Sequence, residues 1–168
     1  RYFLGFGKSS RVPDAKELYV GTQAFGDLEQ TKNYQTDIGF NLDKENFGIN
    51  GKAFYSILKD HIDYNSSKYV NTDAKMYGVE LGGYYDFSES LSINSALAYL
   101  RGQKDEPIAG QSDRDLAEIP PLKMTNTLRY EQDKHSDMLQ MINSAKWSKY
   151  DGVNGEQELP YYSVLNTK

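Results

Sequence analysis

The residues able to do chemistry are few and scattered along the chain. Asp60-His61-x-Asp63 places two carboxylates and an imidazole within four residues, a donor set that borderline transition metals accept. Neighbouring side chains on an extended backbone point to opposite sides, so a solvated polar loop is the plainer reading. Met138 and Met141 form a soft pair of the kind copper prefers. Three residues apart on a strand, they face opposite ways. The segment QKDEPIAGQSDRDLAE (103–118) carries Asp105, Glu106, Asp113, Asp115 and Glu118. Lys104 and Arg114 offset part of that charge, and the segment reads as a solvated loop rather than a cation site. There is no cysteine, hence no disulfide framework and no thiolate ligand, which is compatible with an oxidising envelope compartment. No phosphate-binding glycine loop or nucleophile motif occurs, and Gly5-Phe6-Gly7 lies within a strand-like run. No catalytic residue, resident metal or cofactor is expected.

Charge and hydropathy narrow the classes further. A net charge of −5 gives little electrostatic support to a nucleic-acid partner. No apolar run reaches the length of a transmembrane helix. The mean hydropathy of −0.72 still permits a membrane barrel, because only alternate residues of each strand meet lipid. The chain opens on RYFLGFGKSS without a charged-then-apolar leader, so export has to be inferred from the fold.

The elements that must carry these residues are strands. In 33–43, Tyr34, Thr36, Ile38, Phe40 and Leu42 share one face, opposite Gln35, Asp37, Gly39, Asn41 and Asp43. That period of two excludes a helix. The alternation returns near 47–58, 75–87, 91–101, 121–131 and, more noisily, 137–149. Phe54, Leu58, Met76, Tyr84 and Leu100 break it. Residues 1–7 and 161–168 complete eight expected strands. The connections sort by length: short near 44–46, 88–90 and 132–136, long at 8–32, about 59–72, 102–120 and 150–160. An up-and-down barrel with tight periplasmic turns and long extracellular loops shows this order. His61 and His135 then lie at opposite rims and cannot share a metal. Tyr34, Tyr77, Tyr85, Tyr99, Tyr130 and Trp147 fall towards strand ends, where amphipathic rings form interfacial girdles. Asp37, Lys52, Glu80, Lys123, Arg129 and Lys146 lie on the mixed face, which suits a wet lumen inside lipid. With the faces reversed, the same pattern would describe a soluble, lipocalin-like binding barrel.

Four segments in order resemble the C-terminal barrel region of TonB-dependent outer-membrane receptors. They are YFLGFGKSSRVPDAKELYV (2–20), NTDAKMYGVELGGYYDFSESLSINSALAYLRG (71–102), AEIPPLKMTNTLRYE (117–131) and ELPYYSVLN (158–166). The resemblance implies an all-β, antiparallel up-and-down transmembrane barrel segment, about eight strands of a 22-stranded, plugged barrel. Residues 1–168 would then be a partial barrel domain, with the plug domain, the TonB-contacting part and the closing strands outside it. The function implied is outer-membrane import of a metal ion or chelate, whether copper, ferric siderophore or haem, with outer-membrane lipid and TonB as partners. The general pattern is similar to the copper-receptor branch. Arg11, Asp60, His61 and Asp63 are the extracellular-loop candidates for touching ligand. By strand count alone, eight strands could also close as a small structural or adhesive barrel.

Overall fold

The computed structural model describes residues 1–20, 26–65 and 67–168. Eight strands form one antiparallel sheet in chain order: β1 (Tyr2–Arg11), β2 (Thr31–Asp43), β3 (Phe47–Asn65), β4 (Lys68–Ser88), β5 (Leu91–Lys104), β6 (Lys123–Gln132), β7 (His135–Ser144) and β8 (Tyr162–Thr167). A four-residue helix, α1 (Ala15–Leu18), is held by a capping box in which Asp14 and Glu17 serve each other's backbone N–H. All five prolines lie outside the strands, where a missing N–H breaks no ladder. β1 and β8 are the edges of the sheet and do not pair with each other, so these eight strands do not close as a small barrel.

Cross-strand registers fix the two faces. One row runs Tyr2, Phe40, Gly51, Leu81, Leu97, Met124 through successive strands. Leu4, Ile38, Leu42, Ile49, Val79, Tyr85, Leu128 and Leu139 share this face and are exposed. So continuous an apolar surface would aggregate in water and is at home in lipid.

The breaks in alternation each have a cause. The Phe54 and Tyr84 rings lie on the opposite, polar face, flat over Gly78 and Gly48 of the neighbouring strands. A Cβ there would come within 2.7 Å of Phe54 and 2.3 Å of Tyr84. Leu58, Met76 and Leu100 cluster at the long-loop end, under Leu116, Ile119 and Trp147.

Two expectations are corrected here. The span 59–72 is no loop for most of its length: β3 and β4 continue as a paired ladder to Asn65↔Lys68, with a register shift between Leu58 and His61. A strand rises about 3.3 Å per residue, so 19 residues exceed the roughly 9–11 that a tilted strand needs to cross. The hairpin stands out of the membrane. Trp147 is not a girdle residue either. β7 ends at Ser144, and Trp147 is 7% exposed, bridged to Leu159 inside the loop cluster.

Candidate functional site

The polar face carries a hydrogen-bonded charge network within the span. Asp37 lies 3.1 Å from the Lys52 ammonium and accepts from Gln35 Nε2 at 2.9 and 3.0 Å. Ser56 Oγ donates to Gln35 Oε1 at 2.9 Å. Farther round, Glu80, Ala98 and Lys123 share one lateral row, with the alanine between the charges. Such groups are tolerated at membrane depth only where they meet water or other protein. This wall therefore lines the lumen.

Above it, three extracellular segments lock together around one lysine. Lys104 is fully buried at the end of β5, with Asp151 at 3.2 Å and Asp63 at 3.3 Å. Asp63 Oδ2 has the distance of an ion pair without hydrogen-bond geometry. Gln111 Oε1 accepts from the same ammonium at 3.3 Å. Asp151 also caps the 3-10 turn Gly152–Asn154, accepting from Val153 N and Asn154 N. Asn154 Nδ2 reaches back to Tyr64 O at 2.7 Å. Arg101 adds a second tie: it pairs with Asp115, donates to Lys149 O at 3.4 Å and lies 6.0 Å from the Trp147 ring centre. Segment 114–116 runs beside β5, with Leu116 N donating to Gly102 O and Lys104 N to Arg114 O. The β3–β4 hairpin, loop 105–122 and loop 145–161 are thus one body over a shared apolar core.

The four candidate ligand residues do not converge. Arg11 makes a two-pronged pair with Glu17, both contacts at 2.8 Å. Asp60, at φ 55° in the register shift, pairs with Lys32 at 3.0 Å on the lipid-side face. Asp63 is spent on Lys104. His61 faces the lumen side within the field of Asp63, Arg11 and Glu17. Among the described residues no group of three His, Cys, Asp or Glu side chains could hold a metal. The acidic loop is likewise tied inward, through Asp115 to Arg101, Asp105 to Lys75 and Asp113 to Gly152 N. Asp151 and Arg101 escaped the sequence reading, which took Lys104 only as an offset to the loop charge and placed Trp147 in a girdle. The available signal was that Leu58, Met76 and Leu100 interrupt three adjacent strands at one end.

Burial holds the His61 pKa below its ordinary value, with Asp63 opposing and Arg11 adding to the shift. The folded cap therefore binds fewer protons here than the unfolded one. Stability is full above the ordinary pKa of about 6.5 and declines as the pH falls below it. Proteolysis of the cap should accelerate on acidification from neutral pH towards the folded-state pKa. In His61→Gln that pH dependence should be absent.

The sequence model described as TonB dependent receptor-like, beta-barrel, matches residues 1–168. The chain belongs to that family. Receptors of this kind are bacterial outer-membrane proteins, which places the apolar face in that membrane and the long-loop end outside the cell. No curated protein sequence matches the chain. Solved structures do. The copper transporter OprC is 23% identical with a TM-score of 0.87, over 99% of this chain and 28% of that one. The FrpB iron transporter from Neisseria meningitidis is 18% identical with a TM-score of 0.72, over 99% and 29%. The ferric-catecholate import receptor Fiu from E. coli K12 is 12% identical with a TM-score of 0.72, over 99% and 26%. At these identities the likeness establishes the receptor barrel fold. The chain spans under a third of each of these relatives.

Proposed function

We propose that the receptor to which this arc belongs imports a metal ion or a metal chelate across the outer membrane. The observation that carries the proposal is the charged lumen wall of Asp37, Lys52, Gln35 and Ser56 behind an apolar lipid belt. That combination lines an aqueous passage. The titles of the solved relatives, a copper transporter, an iron transporter and a ferric-catecholate receptor, support a metal cargo. In this reading the arc is about eight strands of a barrel of some 22 strands, with a plug as gate and TonB as energy source. On this reading residues 1–168 supply part of the wall, their long loops help to capture ligand, and the plug gates the passage.

Transport is tested by deleting the complete gene and following uptake of labelled copper, ferric siderophore and haem into metal-starved cells. Uptake of one of the three should fall sharply and should return with the intact gene. Dissipating the proton-motive force should mimic the deletion. Unchanged uptake of all three would overturn metal import and favour a structural or adhesive barrel.

A further inference from the structure

We propose that the lipid face of β4–β6 is a contact surface at which the receptor pairs with a second copy of itself. One lateral row on that face runs Ile49, Gly83, Ser95, Asn126, Met141, Leu165 through β3–β8. Its middle is bare or polar, whereas the rows on either side are apolar on the same strands. Leu81, Leu97 and Met124 stand on the extracellular side, and Tyr85, Ile93 and Leu128 on the periplasmic side. Ser95 Oγ donates to Asn126 Oδ1 at 2.8 Å. Among the described residues the Asn126 amide nitrogen donates to none.

An amide with idle N–H donors is out of place at this depth. Asn126 lies four residues from Tyr130 along β6. At about 3.3 Å per residue and a tilt near 40°, that sets it roughly 10 Å above Tyr130, within an apolar band about 25 Å tall. So short a side chain reaches neither rim, and acyl chains offer no acceptor. Asn143 shares the face but stands beside Ser144, the last residue of β7, where headgroups and water serve it. Tyr161 also donates its hydroxyl to Asn143 Oδ1 at 3.2 Å. Strands that complete the barrel extend the sheet past β1 and β8 and leave the outer face of β4–β6 uncovered.

A second copy supplies what the hydrocarbon lacks. A carboxamide carries donors and an acceptor on one head. Two Asn126 side chains facing each other across a twofold axis along the membrane normal can each donate Nδ2–H to the other's Oδ1. Ser95 occupies one lone pair of Oδ1 and so orients the amide, leaving the second lone pair and the N–H donors for the partner. Gly83 has no side chain and Ser95 a small one, so the centre of the contact lies low. The exposed Leu81, Met124 and Leu128 stand around it and can exclude lipid. Small residues that let backbones approach, joined by a polar group, are what protein contacts inside a bilayer are made of. A different protein would have to carry an amide-like group at this height. Identical copies inserted the same way match in height by symmetry, which favours the second copy.

The test uses the full-length receptor in two settings. In native outer membranes, Met124→Cys should give an interchain disulfide under a membrane-permeant oxidant. Ile38→Cys, on the same face but four strands or about 19 Å away, should not. In dilute lipid vesicles, single-molecule photobleaching of the labelled receptor counts the copies in each particle. Asn126→Leu should weaken pairing about tenfold, because two hydrogen bonds between membrane segments are lost together. Asn126→Gln keeps the amide and should keep the pairing. Folding of each variant is checked by its heat-modifiable band, and the wild-type copy number with the two cysteine positions decides should Asn126→Leu not fold. A monomeric wild type, equal cross-linking at 124 and 38, or undiminished pairing in Asn126→Leu would overturn the proposal. A Met124→Cys adduct with a different protein would overturn it as well, by assigning the face to another partner.

Discussion

Replacing Lys104 with alanine is expected to release the extracellular cap as a unit while leaving the membrane wall intact. The substitution strands two carboxylates: Asp151, fully buried, and Asp63, 7% exposed, lose the ammonium 3.2 and 3.3 Å away. Removing one partner of a buried ion group costs about 3–5 kcal/mol, far more than an exposed pair is worth. The cap has little reserve against such a loss, because its apolar cluster among the described residues is small: Leu58, Ala74, Leu116, Ile119, Trp147 and their half-buried neighbours. Limited proteolysis of intact cells measures the outcome. Loops 105–122 and 145–161 should become cleavable together, since Asp151 lies in one and Gln111, a second Lys104 partner, in the other. Adding Asp151→Asn should restore part of the protection by removing one stranded charge. Opening of a single loop, or wild-type resistance in Lys104→Ala, would show that the lysine does not couple them. The transmembrane ladders should survive, because their hydrogen bonds run between strands below the cap.

The second large effect separates two neighbours in the chain. Leu97→Arg should cost roughly 2–4 kcal/mol, the penalty for an arginine on the lipid face near the bilayer centre. Ala96→Arg should cost little, because its side chain enters an aqueous lumen. Leu97 shares its row with Leu81 and Met124, and Leu81 stands midway between Tyr85 and Tyr77 on β4. Ala96 stands opposite Gly82 and Thr125 on the lumen side. Denaturant titration of each receptor variant, refolded into bilayers, reads the difference. Equal costs at 96 and 97 would mean that the assigned faces are wrong. A larger cost at 96 would mean that lipid and lumen are exchanged.

The sequence alone determined the eight strands within the membrane span, their faces and the three short turns. A strand repeats every two residues, so Tyr34, Ile38 and Leu42 declare a shared surface without help from distant residues. The same local rule placed Met138 and Met141 on opposite faces, and their partners Arg129 and Asn126 agree. Family-like segments in order then fixed which barrel this is. Only the tertiary structure decided what happens beyond the membrane edge. There Lys104, Asp63 and Asp151 meet across 41 and 47 residues of chain, and no local period encodes such a meeting. The Asp60-His61-x-Asp63 cluster looked like one loop. Pairing with β4 turned it into a strand that sends Asp60 to Lys32 and Asp63 to Lys104. Alternation is set by each residue's own backbone, whereas the use of a charge depends on which buried partner the folded loops bring to it.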